Sequence, residues 1–108
     1  MERVTIITSA GPVSALQGGA GVRLHFAHAT GMNAQLYAGL LAPLAGDHAI
    51  TASDARGHGF TRLAADPDGL RSWDDLADDL LRLIDTIDAG ARWLLAGHSM
   101  GAAVSLLA

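Results

Sequence analysis

Arg92-Trp93-Leu94-Leu95-Ala96-Gly97-His98-Ser99-Met100-Gly101 is the stretch on which the reading of this chain turns. Residues 92–96 form a nearly continuous apolar run, the pattern of a parallel strand buried on both faces. Residues 97–101 fit Gly-x-Ser-x-Gly, and the apolar residues from about Met100 to Ala108 read as a helix. A serine between a buried strand and a helix must sit on a very sharp turn, with its own backbone strained. Glycines two before and two after it remove side chains that would collide with the neighbouring strand and helix. The hydroxyl is thereby held at the carboxyl end of a sheet, where open α/β folds bind ligands. The chain has 13 Gly, so the bare string arises readily by chance, and its strand-turn-helix context carries the weight.

Upstream of this stretch the chain alternates between strand and helix patterns. Residues 4–9 are β-branched and end at Gly11-Pro12, which predicts a strand joined by a turn to a second over 13–17. A third strand is expected over 22–27, entered through the flexible residues 18–21. Residues 34–45 place Leu36, Tyr37, Leu40, Leu41 and Leu44 on one helical face, with Pro43 and Gly46 marking the stop. A strand is expected over 48–53. The clearest helix spans 73–88, with Trp73, Leu76, Leu80, Leu83, Ile84 and Ile87 as its apolar stripe and Gly90 after its end. Ser72 is placed to cap it, with Asp75 three residues on. Asp74, Asp75, Asp78 and Asp79 read as a solvated acidic start that suits the helix dipole, not as a metal site. Residues 57–69 read as a loop with a turn at Asp66-Pro67-Asp68-Gly69. The whole is one α/β domain over residues 1–108, a mostly parallel sheet of about five strands flanked by helices.

Composition limits the function classes. Half of the 108 residues are apolar and 17% are charged, as in a folded globular chain. The net charge is −4 and only seven scattered basic residues are present, which argues against nucleic acid as a partner. Without cysteine there is no disulfide, zinc thiolate or thiol nucleophile. No apolar run reaches membrane-spanning length, and residues 1–7 do not form a signal peptide. A cytoplasmic location is expected, and the sequence leaves the oligomeric state open.

Two more segments bear on the serine. His28-Ala29-Thr30-Gly31-Met32-Asn33 is a turn of small residues after the third strand, suited to presenting a main-chain N–H to an oxyanion. Asp54-Ala55-Arg56-Gly57-His58-Gly59 follows the fourth strand. With the Gly-x-Ser-x-Gly turn, in this order and spacing, they resemble the amino-terminal half of the α/β-hydrolase superfamily over residues from about 22 onward. His28-Ala29-Thr30-Gly31 resembles its His-Gly oxyanion motif, and more closely a variant with Ala-Asn-Gly after the histidine. Thr30 stands where Asn is usual, a departure that costs little because the oxyanion is bound by main chain. Residues 54–59 match the Asp-x-Arg-Gly-His-Gly signature, which the resemblance assigns to the floor of the site.

The resemblance implies Ser99 as nucleophile, with the N–H groups of Thr30 and Met100 as the oxyanion hole and no metal or organic cofactor. His98 is expected to line the substrate pocket and not to act as base. His28 and His58 are expected to be structural, and His25 and His48 to occupy ordinary strand positions. A serine nucleophile sets the chain apart from dehalogenases and epoxide hydrolases, which use aspartate there. The activity implied is hydrolysis of a small carboxylic ester or related acyl compound. Thioesterase, peroxidase-like and carbon–carbon hydrolase chemistry share the serine. The alternative is a non-catalytic, receptor-like ligand-binding member of the fold. Residues 100–108 contain no Asp, Glu or His, although the triad order in this fold is Ser, acid, His. The chain is therefore expected to be an amino-terminal fragment, inactive alone, with one edge of the strand at 92–97 unpaired.

Overall fold

Five strands form one mixed sheet in the computed structural model, which describes residues 1–61, 63 and 73–108. β1 (Glu2–Thr8) and β2 (Gly11–Gly18) are an antiparallel hairpin, and β2 pairs antiparallel with β4 (His48–Ser53). β3 (Val22–Ala27) lies between β4 and β5 (Trp93–Gly97), parallel to both, giving the order β1-β2-β4-β3-β5. The expected strands are all present, with ends moved by one or two residues. Pro12 falls where β2 pairs only with β1, so its missing N–H interrupts no second ladder.

Alternation of side chains gives the sheet two apolar faces. Leu16, Leu24, Phe26, Ile50 and Ala52 pack on one face against Ala34, Tyr37 and Leu41. On the other side, Leu76, Ala77 and Leu80 of α2 (Asp74–Asp88) cluster with Met100 and Val104 of α3 (Met100–Leu107). No helix among the described residues is long and apolar enough to cross a membrane.

Several expectations need correction. The segment 34–45 is not one helix. A 3-10 turn (Ala34–Tyr37) leads into a single α-turn, α1 (Ala38–Leu41), and a second 3-10 turn (Ala42–Gly46). Pro43 lacks the N–H that would continue an α-helix past Leu41. The tightened winding also splits the supposed face: Tyr37 and Leu41 are buried, while Leu36, Leu40 and Leu44 are 61%, 67% and 41% exposed. β5 is not buried on both faces, because it is the sheet's edge among the described residues and Leu94 is half exposed. In α2, Leu76, Leu80 and Leu83 are buried as expected, but Trp73 precedes the helix and is largely exposed. Asp79 is not part of a solvated acidic face. Its side chain is 13% exposed and takes a two-pronged ion pair from Arg56. The Ser72 cap and the turn at 66–69 lie outside the described residues.

His25 is no ordinary strand residue either. It is buried beneath α2 and α3, its Nε2 is 2.7 Å from Ser53 Oγ, and its Nδ1 has no partner among the described residues. It lines an apolar cavity of about 50 Å3 with Leu80 and Val104. Burial, and secondarily the charge of nearby His28, pushes its pKa from 6.5 down to about 3.

Two outcomes follow. Leu41→Ala empties a site that is 2% exposed and should cost about 2–5 kcal/mol in chemical denaturation. Leu40→Ala, one residue away, should stay within about 0.5 kcal/mol. As pH falls below 6.5, the unfolded chain binds a proton that folded His25 refuses down to about 3. Stability that is complete above pH 6.5 should therefore fall by about 1 kcal/mol per pH unit through this window. His25→Gln should make that slope shallower between pH 6.5 and 5, the remainder coming from His28, whose pKa burial also lowers.

Candidate active site

The parallel register pairs Ala27 with Gly97, so β3 and β5 end side by side and their following turns meet. The His98 N–H donates to the Ala27 carbonyl at 3.0 Å, carrying the pairing one residue past the strand. The chain then reverses into α3 at once. A Cβ on Gly101 would fall inside the Ala27 carbonyl group, and one on Gly97 would overlap the Gly101 and Ala102 backbone. Both glycines are thus required by contact, as the motif suggested. Between them Ser99 has φ 55° and ψ −114°, and it has the one positive φ of any non-glycine among the described residues. Such a conformation costs on the order of 1–3 kcal/mol and persists only where the surroundings impose it.

Ser99 is exposed, and its hydroxyl has no hydrogen-bond partner among the described residues. Its carbonyl accepts from the N–H groups of Ala102 and Ala103, which begins α3. The Met100 N–H, the first of the helix, has no acceptor in the helix itself.

In the turn after β3, three N–H groups have acceptors. Ala29 N–H donates to the Tyr37 hydroxyl at 3.2 Å, Gly31 N–H to His58 Nε2 at 3.1 Å and Met32 N–H to the Ala29 carbonyl at 3.1 Å. His28 Nε2 accepts from Ala55 N–H at 2.9 Å, so its proton is on Nδ1, which donates to the Ala29 carbonyl at 2.7 Å. Two donors thereby fix the carbonyl of the Ala29–Thr30 peptide. A trans peptide points its N–H opposite to its C=O, so the Thr30 N–H is turned away from those donors. It remains without a partner among the described residues, and Thr30 is exposed.

The same logic fixes the other histidine. His58 accepts at Nε2, so its Nδ1 carries the proton and donates to the Arg56 carbonyl at 3.0 Å. The two bonds fix each ring's orientation. Burial leads the causes that lower the His28 pKa, ahead of the opposing bond to Ala29. Asp54, 1% exposed, organises the surroundings. Its carboxylate accepts from Ala34 N–H (2.8 Å), Phe60 N–H (3.0 Å) and Arg3 Nη1 (3.2 Å). His98 turns its ring toward Tyr37, with Nδ1 2.9 Å from the Tyr37 hydroxyl.

The structure therefore brings Ser99, Thr30, Met100 and His98 to one end of the sheet. His28 and His58 flank them and are committed to backbone groups. His48 lies apart, its Nδ1 3.1 Å from the Leu44 carbonyl. Tyr37 was missed as a site residue, since its spacing reads as core; the buried polar hydroxyl on that face was the available signal.

A parallel strand-turn-helix with a strained serine between two obligatory glycines defines the α/β-hydrolase class. A family model described as serine aminopeptidase, S33 matches residues 21–108, and the chain belongs to that family. No curated protein matches the chain. Among solved structures, E-2-(acetamidomethylene)succinate hydrolase is similar at 28% identity and TM-score 0.85, over 97% of this chain and 38% of that one. An esterase from Thermogutta terrifontis is similar at 23% identity and TM-score 0.79, over 99% of this chain and 40% of that one. An epoxide hydrolase from Vigna radiata gives 23% and 0.85, over 95% of this chain and 33% of its own. The last two likenesses show the fold alone. The chain spans about two fifths or less of each of these structures.

The geometry generates a comparison of variants. Ser99→Gly and Ser99→Ala both lose the hydroxyl, but only glycine relieves the positive φ. Ser99→Gly should be more stable than Ser99→Ala by about 1 kcal/mol, the strain relief being partly offset by greater unfolded-state entropy. Gly101→Ala should abolish folding or cost several kcal/mol, about 3 or more, because the clash is with backbone. Thermal melts of the three variants check both expectations.

Proposed function

We propose that Ser99 is the nucleophile of a hydrolase acting on a small carboxylic ester or related acyl compound, with the Thr30 and Met100 N–H groups as its oxyanion hole. The observation that carries this reading is the Ser99 backbone, φ 55° and ψ −114°, held between Gly97 and Gly101 with its hydroxyl unengaged. Strain of this kind is retained where a reactive group must project from a turn. The solved E-2-(acetamidomethylene)succinate hydrolase, at 28% identity, supports a hydrolytic reading.

In this mechanism Ser99 Oγ attacks the acyl carbon as a general base takes its proton. Charge develops on the carbonyl oxygen, which accepts from Thr30 and Met100 N–H. Both donors are main-chain groups fixed in advance, so little reorganisation is needed as the charge appears. Collapse expels the leaving alcohol, protonated by the same group, and water then releases the acid. His98 Nδ1 lies against Tyr37, and His28 and His58 are bound to backbone groups, so none of the three is assigned as base. The base and its acid partner are assigned to chain outside residues 1–108. His98 is assigned to the rim of the substrate pocket.

In the complete protein, Ser99→Ala should abolish both turnover of a short activated ester and labelling by a fluorophosphonate, with the fold intact. Equal labelling of wild type and variant would contradict the assignment. Thr30→Pro removes one donor and should cost about 3 kcal/mol of transition-state stabilisation, on the order of 100-fold in kcat. Thr30→Ala keeps the N–H and should be mild.

A further inference from the structure

We infer that Tyr37 is a positioning residue whose hydroxyl ties the turn carrying Thr30 to the turn carrying Ser99; the inference rests on the reading of Ser99 just given. Tyr37 is 8% exposed, and its ring packs on Phe26 with centroids 4.6 Å apart, so the hydroxyl rises from the core at a fixed height. There it meets groups from two separate turns. It accepts the Ala29 N–H at 3.2 Å, one residue before Thr30. It lies 2.9 Å from His98 Nδ1, one residue before Ser99. Met32 Sδ, at 3.3 Å, is a weaker acceptor beside it.

A phenol has one proton and two lone pairs. Ala29 fills one lone pair. With the proton on Nδ1, His98 fills the second lone pair and the hydroxyl donates to Met32 Sδ; in the other neutral tautomer the hydroxyl donates to Nδ1, and the tie is made either way. Each bond then ends one residue from a group proposed to act on substrate. Ala29 is 7% exposed, so without the hydroxyl its N–H is left buried and unpaired, a loss that favours rotation of the turn. Rotation there misdirects the next peptide, whose N–H is that of Thr30. His98 would lose its anchor at the same time. The oxyanion exists only in the transition state and intermediate, so a misaimed donor lowers kcat and leaves substrate binding nearly untouched.

The test uses the complete protein with wild type, Tyr37→Phe, His98→Leu and Ser99→Ala. It reads kcat and KM on p-nitrophenyl acetate, the rate of fluorophosphonate labelling, and thermal stability. Tyr37→Phe should lower kcat by about 10- to 100-fold, keep KM within about twofold, and slow labelling by a similar factor. His98→Leu, which cuts the tie from its other end, should lower kcat and labelling less; its KM carries no weight, because His98 also rims the substrate pocket. Wild-type kcat and labelling in Tyr37→Phe, with Ser99→Ala inactive, would overturn the Tyr37 inference and leave the Ser99 reading standing. A lower melting temperature with unchanged kcat, or a loss confined to KM, would also overturn it. Should Tyr37→Phe fail to fold, His98→Leu decides: an unchanged kcat counts against the tie. Activity retained in Ser99→Ala would overturn both.

Discussion

The backbone of Gly101 rests against the carbonyl of Ala27, and the geometry of the site descends from that approach. A helix that starts this close to the end of β3 can be reached from β5 only by an abrupt reversal at Ser99. Its positive φ is the consequence. The approach also sets the start of α3 against the Ala27 and His28 carbonyls, where the turn that carries Thr30 begins. Strand register supplies the remaining alignment, since Ala27 and Gly97 are paired before either turn begins. The site is a junction of two parallel strand ends and owes little to any single loop.

The opposite wall depends on polar groups that are each satisfied in one way only. Asp54 joins β1 through Arg3, the 3-10 turn through Ala34 and its own loop through Phe60. Arg56 ties that loop to α2 through Asp79. The bond to Asp79, more than its burial, determines the Arg56 pKa, which is raised. His28 and His58 each accept an N–H at Nε2, so protonating either would set a new donor against an existing one. Both rings work as fixed struts. Buried polar networks of this kind are costly when a member is lost, which favours one arrangement over its alternatives.

Much of this was legible in sequence because it is local. Gly97, Ser99 and Gly101 declare their turn within five residues, and residues 54–59 declare theirs through the spacing of Asp, Arg, His and Gly. The five strands were readable from β-branched runs and punctuation. The segment 34–45 was not, because Leu36, Leu40 and Leu44 have the same helical spacing as a buried stripe and only tertiary contact decides which side faces the sheet. His25 likewise alternates like its neighbours and reveals its burial only once α2 and α3 cover it. The Tyr37–His98 bond spans 61 residues of sequence, and no local pattern announces it. Asp79 looked solvated because its partner, Arg56, comes from a different element.

Ser99, Thr30 and Met100 are proposed to form one reaction centre. The most direct test is a crystal structure of the complete protein with a fluorophosphonate bound covalently to Ser99 Oγ. The phosphoryl oxygen should lie about 2.7–3.1 Å from both the Thr30 and Met100 nitrogens, with the Ala29 carbonyl still held by His28. An adduct whose oxygen points away from these two N–H groups, or a Thr30 N–H turned onto another protein acceptor, would contradict it.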